Sequence, residues 1–193
     1  VAKHGDKLDI GGQELEFIVA PLLHWPDSMF TWCEEEKTLF PCDFFGAHYC
    51  EPYVFDYNTV YPEKYEAAFK GYYDAIFGPF KPYVLKGLEK IEDLSISYIC
   101  TSHGPVLTRK GRISYVMEKY AEWSQPRQNE KKTIPLFYCT AYGNTRKLAR
   151  AIREGILSVI PDADCPLYNL NHHDMGDLAA ALNGSDAFAI GSP

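Results

Sequence analysis

Cys139-Thr140-Ala141-Tyr142-Gly143-Asn144-Thr145 joins an apolar run, Ile134 to Tyr138, to a segment with apolar residues at Leu148, Ala149, Ile152, Ile156 and Val159. The first run has the length and the β-branched and aromatic content of a strand, and the second has a helical period. The seven residues between them are therefore a strand-to-helix loop. Free N–H groups and the positive end of the helix dipole meet at such a loop and attract an anion. Hydroxyls at Thr140 and Thr145, with Gly143 for close backbone approach, suit a dianionic phosphate monoester. The spacing is neither G-x-x-x-x-G-K-[ST] nor G-x-G-x-x-G, so it points away from a nucleoside triphosphate or a dinucleotide. Arg146 and Lys147 follow at once. The bland reading of the same residues is a helix start capped by Asn144 or Thr145.

A second chemistry is carried by single residues far apart. His24 in His24-Trp25-Pro26-Asp27-Ser28, Asp43 in Cys42-Asp43-Phe44-Phe45-Gly46 and His103 in Ser102-His103-Gly104-Pro105 each follow a strand-like stretch. Loops after strands are where α/β sites assemble. Two imidazoles and a carboxylate suit iron, zinc or manganese, although each residue alone is equally at home as a hydrogen-bonded turn residue. No catalytic residue is expected beyond these ligands. His48 reads as structural or as an outer support of the site, and His172 and His173 as surface residues.

The elements that must position these groups alternate. Leu8 to Ile10 and Gln13 to Ala20 flank Gly11-Gly12, the pattern of a hairpin that runs on into Pro21-Leu22-Leu23-His24. Thr38 to Phe40 is a short strand delivering Cys42-Asp43, and Ser95 to Cys100 one delivering His103. Helical spacing covers Pro62 to Phe77, Pro82 to Ile91 and Gly111 to Trp123. After a polar linker from Ser124 to Lys132 come the strand and helix that flank the loop, a strand near Cys165 to Leu170, a helix near Met175 to Leu182 and a strand from Ala187 to Ile190. Alternating strands and helices make the class α/β. The expected domains are 1–123 and 133–193, joined by 124–132.

Bulk properties narrow the partners. The 193 residues are 46% hydrophobic and 15% aromatic, enough for a substantial core. A net charge of −7 and a pI near 5.4 argue against a nucleic-acid surface and an anionic membrane. No apolar run reaches the 18 residues of a membrane span, so a cytoplasmic protein is expected, with a removed leader left open because the chain begins at Val1. Six cysteines without a C-x-x-C pair read as reduced, buried thiols, Cys139 included.

The loop resembles the phosphate loop of flavodoxins. In order, His24-Trp25-Pro26-Asp27-Ser28-Met29, Asp43-Phe44-Phe45-Gly46, Ser102-His103-Gly104-Pro105-Val106 and Thr140 to Thr145 resemble the flavodiiron proteins, or A-type flavoproteins, along nearly the whole chain. That resemblance implies the second half of a metallo-β-lactamase-like αββα sandwich, followed by the first part of a flavodoxin-like doubly wound parallel sheet. It implies FMN and two irons as cofactors. His24 and His103 would be terminal ligands to different irons, with Asp43 bridging both. Thr140, Ala141, Tyr142, Gly143, Asn144 and Thr145 would bind FMN, with Ser192 and Pro193 opening the loop toward its ring. The activity implied is reduction of dioxygen to water, of nitric oxide to nitrous oxide, or both. Electrons would come from rubredoxin, a flavin reductase or a reduced deazaflavin, and the assembly would be a head-to-tail homodimer.

The family's His-x-Glu-x-Asp-His cluster does not occur between Val1 and His24, and three strands follow the linker where a flavodoxin-like sheet has five. The chain therefore reads as the central portion of a longer polypeptide. Two rival functions are a metallo-β-lactamase-fold hydrolase and an electron-carrier or assembly module with a degenerate metal site.

Overall fold

The computed structural model describes residues 2–126 and 128–193. The chain divides into two compact units, 1–126 and 127–193.

The first unit is built on a six-stranded sheet in the order β1-β2-β3-β4-β5-β6. Its strands are β1 (Lys7–Asp9), β2 (Glu14–Val19), β3 (Met29–Cys33), β4 (Thr38–Phe40), β5 (Tyr98–Ile99) and β6 (Leu107–Thr108). All neighbours are antiparallel except β4 and β5, which pair in parallel with Leu39 opposite Ile99. The Gly-Gly turn sits between β1 and β2, with Gly11 at φ 92° and Gly12 at φ 104°. β3 is an element that the sequence reading passes over. Phe30 and Trp32 are buried while Thr31 is only half-buried, a two-residue period hidden by the brevity of the strand and by the turn residues Pro26-Asp27-Ser28 before it.

Three helices, α1 (Pro62–Tyr72), α2 (Lys81–Glu89) and α3 (Ile113–Ser124), supply the rest of this core. Proline stands in the first turn of α1 and of α2, where its missing N–H costs nothing. Tyr65, Phe69 and Tyr72 recur at i, i+4 and i+7 on α1 and are all buried, as are Val116 and Tyr120 on α3. The expected helix to Phe77 instead ends at Tyr72 and widens into a π-type turn over Tyr73–Phe77. The core is strongly aromatic: Tyr120 meets Phe44 edge-on at 5.0 Å between ring centroids, and Tyr73 likewise at 5.0 Å. On the opposite sheet face, Leu15, Thr31 and Phe40 line an open groove with Ile10.

One buried carboxylate organises the entry to α3. Asp56, 3% exposed, accepts hydrogen bonds from Thr108 N at 3.0 Å, Thr108 Oγ1 at 2.8 Å and Arg112 N at 2.6 Å. Burial of a charge is tolerable when its lone pairs are filled in this way. The same contact requires glycine at 111, since a Cβ there would stand 2.3 Å from Asp56 Oδ2.

The second unit carries a parallel sheet in the order β8-β7-β9, from β7 (Leu136–Tyr138), β8 (Leu167–Asn169) and β9 (Ala189–Gly191). The connections are α4 (Asn144–Val159) and α5 (Met175–Asn183). β7 is buried throughout, as expected for the middle strand of a parallel sheet. Phe137 stacks on Tyr168 across the β7–β8 pair at 5.4 Å. Asp186 ties the unit together, accepting from Asn129 Nδ2, Thr133 N and Lys132 Nζ.

The cysteines are all free, and Cys33 and Cys165 are buried as expected. Cys42 and Cys50 are exposed and Cys100 and Cys139 only half-buried, a correction to the expectation of uniformly buried thiols, because all four lie in loops after strands.

Candidate functional site: a carboxylate between two imidazoles and a strand-to-helix loop

β2, β4 and β5 each end in a loop that carries one of the three expected ligands. Asp43 presents Oδ2 to His24 Nε2 at 3.3 Å and Oδ1 to His103 Nε2 at 3.4 Å. The two imidazoles thus approach different oxygens of one carboxylate. The Asp43 side chain is 18% exposed, and those of His24 and His103 are 24% and 45% exposed.

The backbone around these residues is unusual. Leu22, Cys42 and Phe45 adopt positive φ values of 64°, 57° and 66°, and the Leu23–His24 peptide is cis. A left-handed backbone at non-glycine residues is costly and is sustained only where surrounding structure enforces it. Gly46 N donates to Asp43 O at 2.9 Å, closing the turn, and a Cβ at Gly46 would stand 2.9 Å from that same oxygen. Gly87 of α2 lets the helix approach Leu23, the residue before His24. The parallel pairing of β4 and β5 continues past the strands, with Ser102 N donating to Cys42 O at 2.8 Å, so the Asp43 and His103 loops leave the sheet side by side. His103 O accepts from Ala47 N at 3.1 Å and Thr101 Oγ1 at 2.8 Å, fixing the loop at its tip.

Aromatic residues surround the cluster. Phe77 meets His24 edge-on at 6.1 Å, and Tyr72 lies 6.0 Å from His103. Burial raises the Tyr72 phenol well above its ordinary range, with the Asp43 charge adding to the effect. His48 meets His103 at 5.0 Å and Tyr72 at 4.7 Å, so it sits beside the site.

Imidazole nitrogen and carboxylate oxygen are donors that iron accepts. Imidazoles on the two oxygens of one carboxylate are a donor set that fits a pair of cations, which His24, Asp43 and His103 would help to hold. Among the described residues, no group of three or more His, Cys, Asp or Glu side chains is placed to hold a single ion.

The strand-to-helix loop lies in the second unit. Thr140 Oγ1 accepts from Gly143 N at 2.9 Å, and Gly143 takes the left-handed conformation, φ 83°, immediately before α4. No side chain caps the start of α4, so neither Asn144 nor Thr145 acts as the cap of the bland reading, and the first-turn amides keep their capacity for an anion. Ala141, Tyr142 and Asn144 are exposed, Tyr142 almost fully at 93%. The Arg146 guanidinium folds back to the loop, its Nη2 3.8 Å from where a Gly143 Cβ would sit. Tyr138 pairs in register with Gly191, and Cys139 N donates to Gly191 O at 3.0 Å. Ser192 and Pro193 therefore emerge from β9 beside the loop that follows β7.

The comparisons with known proteins agree with one another. The family model described as ODP family beta lactamase matches residues 1–104. A flavo-diiron protein of Clostridium acetobutylicum is 52% identical over 99% of this chain and 48% of its own length. An anaerobic nitric oxide reductase flavorubredoxin of Aeromonas hydrophila is 37% identical over 98% of this chain and 38% of its own. Among solved structures, the flavodiiron protein from Giardia intestinalis superposes with a TM-score of 0.63 at 30% identity, covering 98% of this chain and 45% of that one. Rubredoxin oxygen:oxidoreductase from Desulfovibrio gigas gives 0.62 at 26% identity, covering 100% and 47%. The chain spans about half or less of the length of these relatives. By its family match and by relatives aligned along nearly its whole length, this chain belongs to the flavodiiron proteins, with an ODP-type beta-lactamase-like domain at its start.

Proposed function

We propose that the protein to which this chain belongs is an oxidoreductase that reduces dioxygen to water, nitric oxide to nitrous oxide, or both, using FMN and a pair of irons. The observation that carries this reading is Asp43 set between His24 and His103, one oxygen to each imidazole. His24, Asp43 and His103 would hold iron, and residues Thr140 to Thr145 would hold the FMN phosphate, with Ser192 and Pro193 beginning the loop toward the ring. Iron supplies Lewis-acid and one-electron chemistry, and FMN divides electron pairs into single electrons.

The residues present have definable tasks. Asp43 would offset the repulsion of two cations, and the turn closed by Gly46 N on its carbonyl positions it. Phe77 and Tyr72 set aromatic rings beside the imidazoles of His24 and His103 and help to fix their orientation. Thr140 orients the loop through Gly143 N, and the first-turn amides of α4 would receive the phosphate. The domain division that accompanies this reading is 1–123 and 133–193. Its electron donor would be rubredoxin, a flavin reductase or a reduced deazaflavin, its assembly a head-to-tail homodimer, and its location the cytoplasm. No described helix is long and apolar enough to cross a membrane.

The test is metal and flavin analysis of the full-length protein, followed by anaerobic stopped-flow mixing of the reduced form with each gas. Bound iron and FMN, with flavin reoxidation by at least one gas, is the expected result. Absence of iron, or a reduced flavin stable to both gases, would sink the reading. A protein without FMN that hydrolyses thioesters would favour a hydrolase instead.

A further inference from the structure

Tyr120 of α3 is 0% exposed, and its hydroxyl, buried with the ring, has no hydrogen-bond partner among the described residues. Buried polar groups are normally paired, because an unpaired one forfeits the hydrogen bonds it made to water. Phenylalanine would serve the packing alone. The hydroxyl therefore calls for a reason of its own. The turn that carries Asp43 holds a matching orphan. Phe44 N donates to Pro41 O at 3.1 Å, Gly46 N to Asp43 O at 2.9 Å and Ala47 N to His103 O at 3.1 Å. Phe45 N, between them, donates to no acceptor among the described residues, although Phe45 is 1% exposed. Its backbone is left-handed, φ 66°, a conformation that a bulky residue keeps only under constraint.

The two orphans lie together. Tyr120 meets Phe45 at 4.8 Å and Phe44 at 5.0 Å between ring centroids. Burial pushes the Tyr120 phenol far above its ordinary value and the Tyr72 phenol adds to the effect, while the Phe45 backbone works the other way. A backbone N–H favours an ionised oxygen in this manner and a carbonyl does not. The Phe45 N–H thus faces the Tyr120 oxygen. The same ring meets Phe77 at 5.6 Å, and Phe77 lies edge-on to His24. α3 gives the contact a fixed base, since Arg112 N is tied to the buried Asp56 at the start of the helix.

We infer that Tyr120 is a positioning residue for Asp43: its hydroxyl oxygen serves as the acceptor for the Phe45 N–H and so holds the left-handed turn from which the carboxylate is aimed. The inference rests on the reading of His24, Asp43 and His103 as iron ligands. Tyr120 acts on the metal site through the Phe45 peptide, two residues from the ligand. Support of this kind narrows the orientations open to a carboxylate, and metal affinity follows that narrowing.

The test compares full-length wild type, Y120F and F69L by amide hydrogen exchange resolved to single residues, by ferrous iron titration and by urea unfolding. Phe69 stacks on the Tyr120 ring at 5.4 Å from α1, so F69L injures the core without removing the hydroxyl. In wild type the Phe45 amide should exchange as slowly as that of Gly46. In Y120F the amides of Phe45, Gly46 and Ala47 should exchange about tenfold faster and iron should bind about tenfold more weakly, with the amides of α1 and α3 unchanged. F69L should lose at least as much stability as Y120F and still keep the wild-type turn and iron affinity. A wild-type Phe45 amide that exchanges freely, a Y120F turn that exchanges as in wild type, or undiminished iron affinity in Y120F would overturn the inference. So would an F69L turn loosened as much as that of Y120F. A wild-type protein that takes up no iron would count against the functional reading, while exchange at Phe45 still judges Tyr120.

Discussion

Asp43 and His103 meet with Oδ1 3.4 Å from Nε2 although they belong to different strand ends, and parallel pairing of β4 with β5 is what brings them together. The other oxygen of the same carboxylate faces His24. Asp43→Asn keeps the shape of the side chain and removes its charge. Iron content of the full-length protein should fall by more than about tenfold, while circular dichroism stays that of wild type. Retention of full iron by a folded D43N protein would remove Asp43 from the bridging role.

Thr140 spends a lone pair on Gly143 N and thereby holds the loop in its turn. Thr140→Val is nearly isosteric and lacks that acceptor. FMN affinity, read from quenching of flavin fluorescence on titration, should weaken by about tenfold, the value of one hydrogen bond to a charged or loop-fixing group. Unchanged affinity would show that the loop does not bind the phosphate, or that the backbone alone shapes it.

At the α3 entry, Gly111 leaves no space for a side chain, with Asp56 Oδ2 2.3 Å and Oδ1 2.4 Å from an added Cβ. Gly111→Ala must displace a buried carboxylate that satisfies three donors. A loss of about 2–3 kcal/mol in urea unfolding is expected, from overpacking and unpaired donors together. A loss under about 0.5 kcal/mol would mean that the Asp56 contacts yield easily.

Asp186 titrates far below its ordinary value of 3.8, at about 2, chiefly because Asn129 donates to it, with Thr133 N and Lys132 adding to the effect. A depressed carboxylate pKa stabilises the fold above the unfolded value, and that contribution is lost as pH falls through the folded one. Wild type should therefore lose stability between about pH 4 and pH 2. Asp186→Asn should be less stable at neutral pH and show a shallower acid dependence, measured by urea unfolding across that range. Parallel acid profiles for the two proteins would contradict the assignment.

Much of this protein is legible in sequence because its signals are local. A Gly-Gly pair needs positive φ, apolar residues at i, i+4 and i+7 need a helix, and a hydroxyl-rich run between strand and helix needs a turn at an anion-binding terminus. The order of His24, Asp43, His103 and the loop is also local information, repeated four times, and it sufficed to point to the family.

Other features depend on partners distant in the chain. β3 is too short to announce itself, and it becomes a strand through pairing with β2 and β4. The π-type turn at Tyr73–Phe77 departs from a helical pattern that its own sequence supports, and it carries Phe77 to His24. Asp56 reads as one acidic residue among many until three donors from the β6–α3 junction surround it. Residue types and order alone determined the candidate ligands, the strand-to-helix loop and the α/β class, because propensity and spacing act within a few residues. Only the tertiary structure decided that the two oxygens of Asp43 face different imidazoles, because that arrangement depends on which strands pair and in which register.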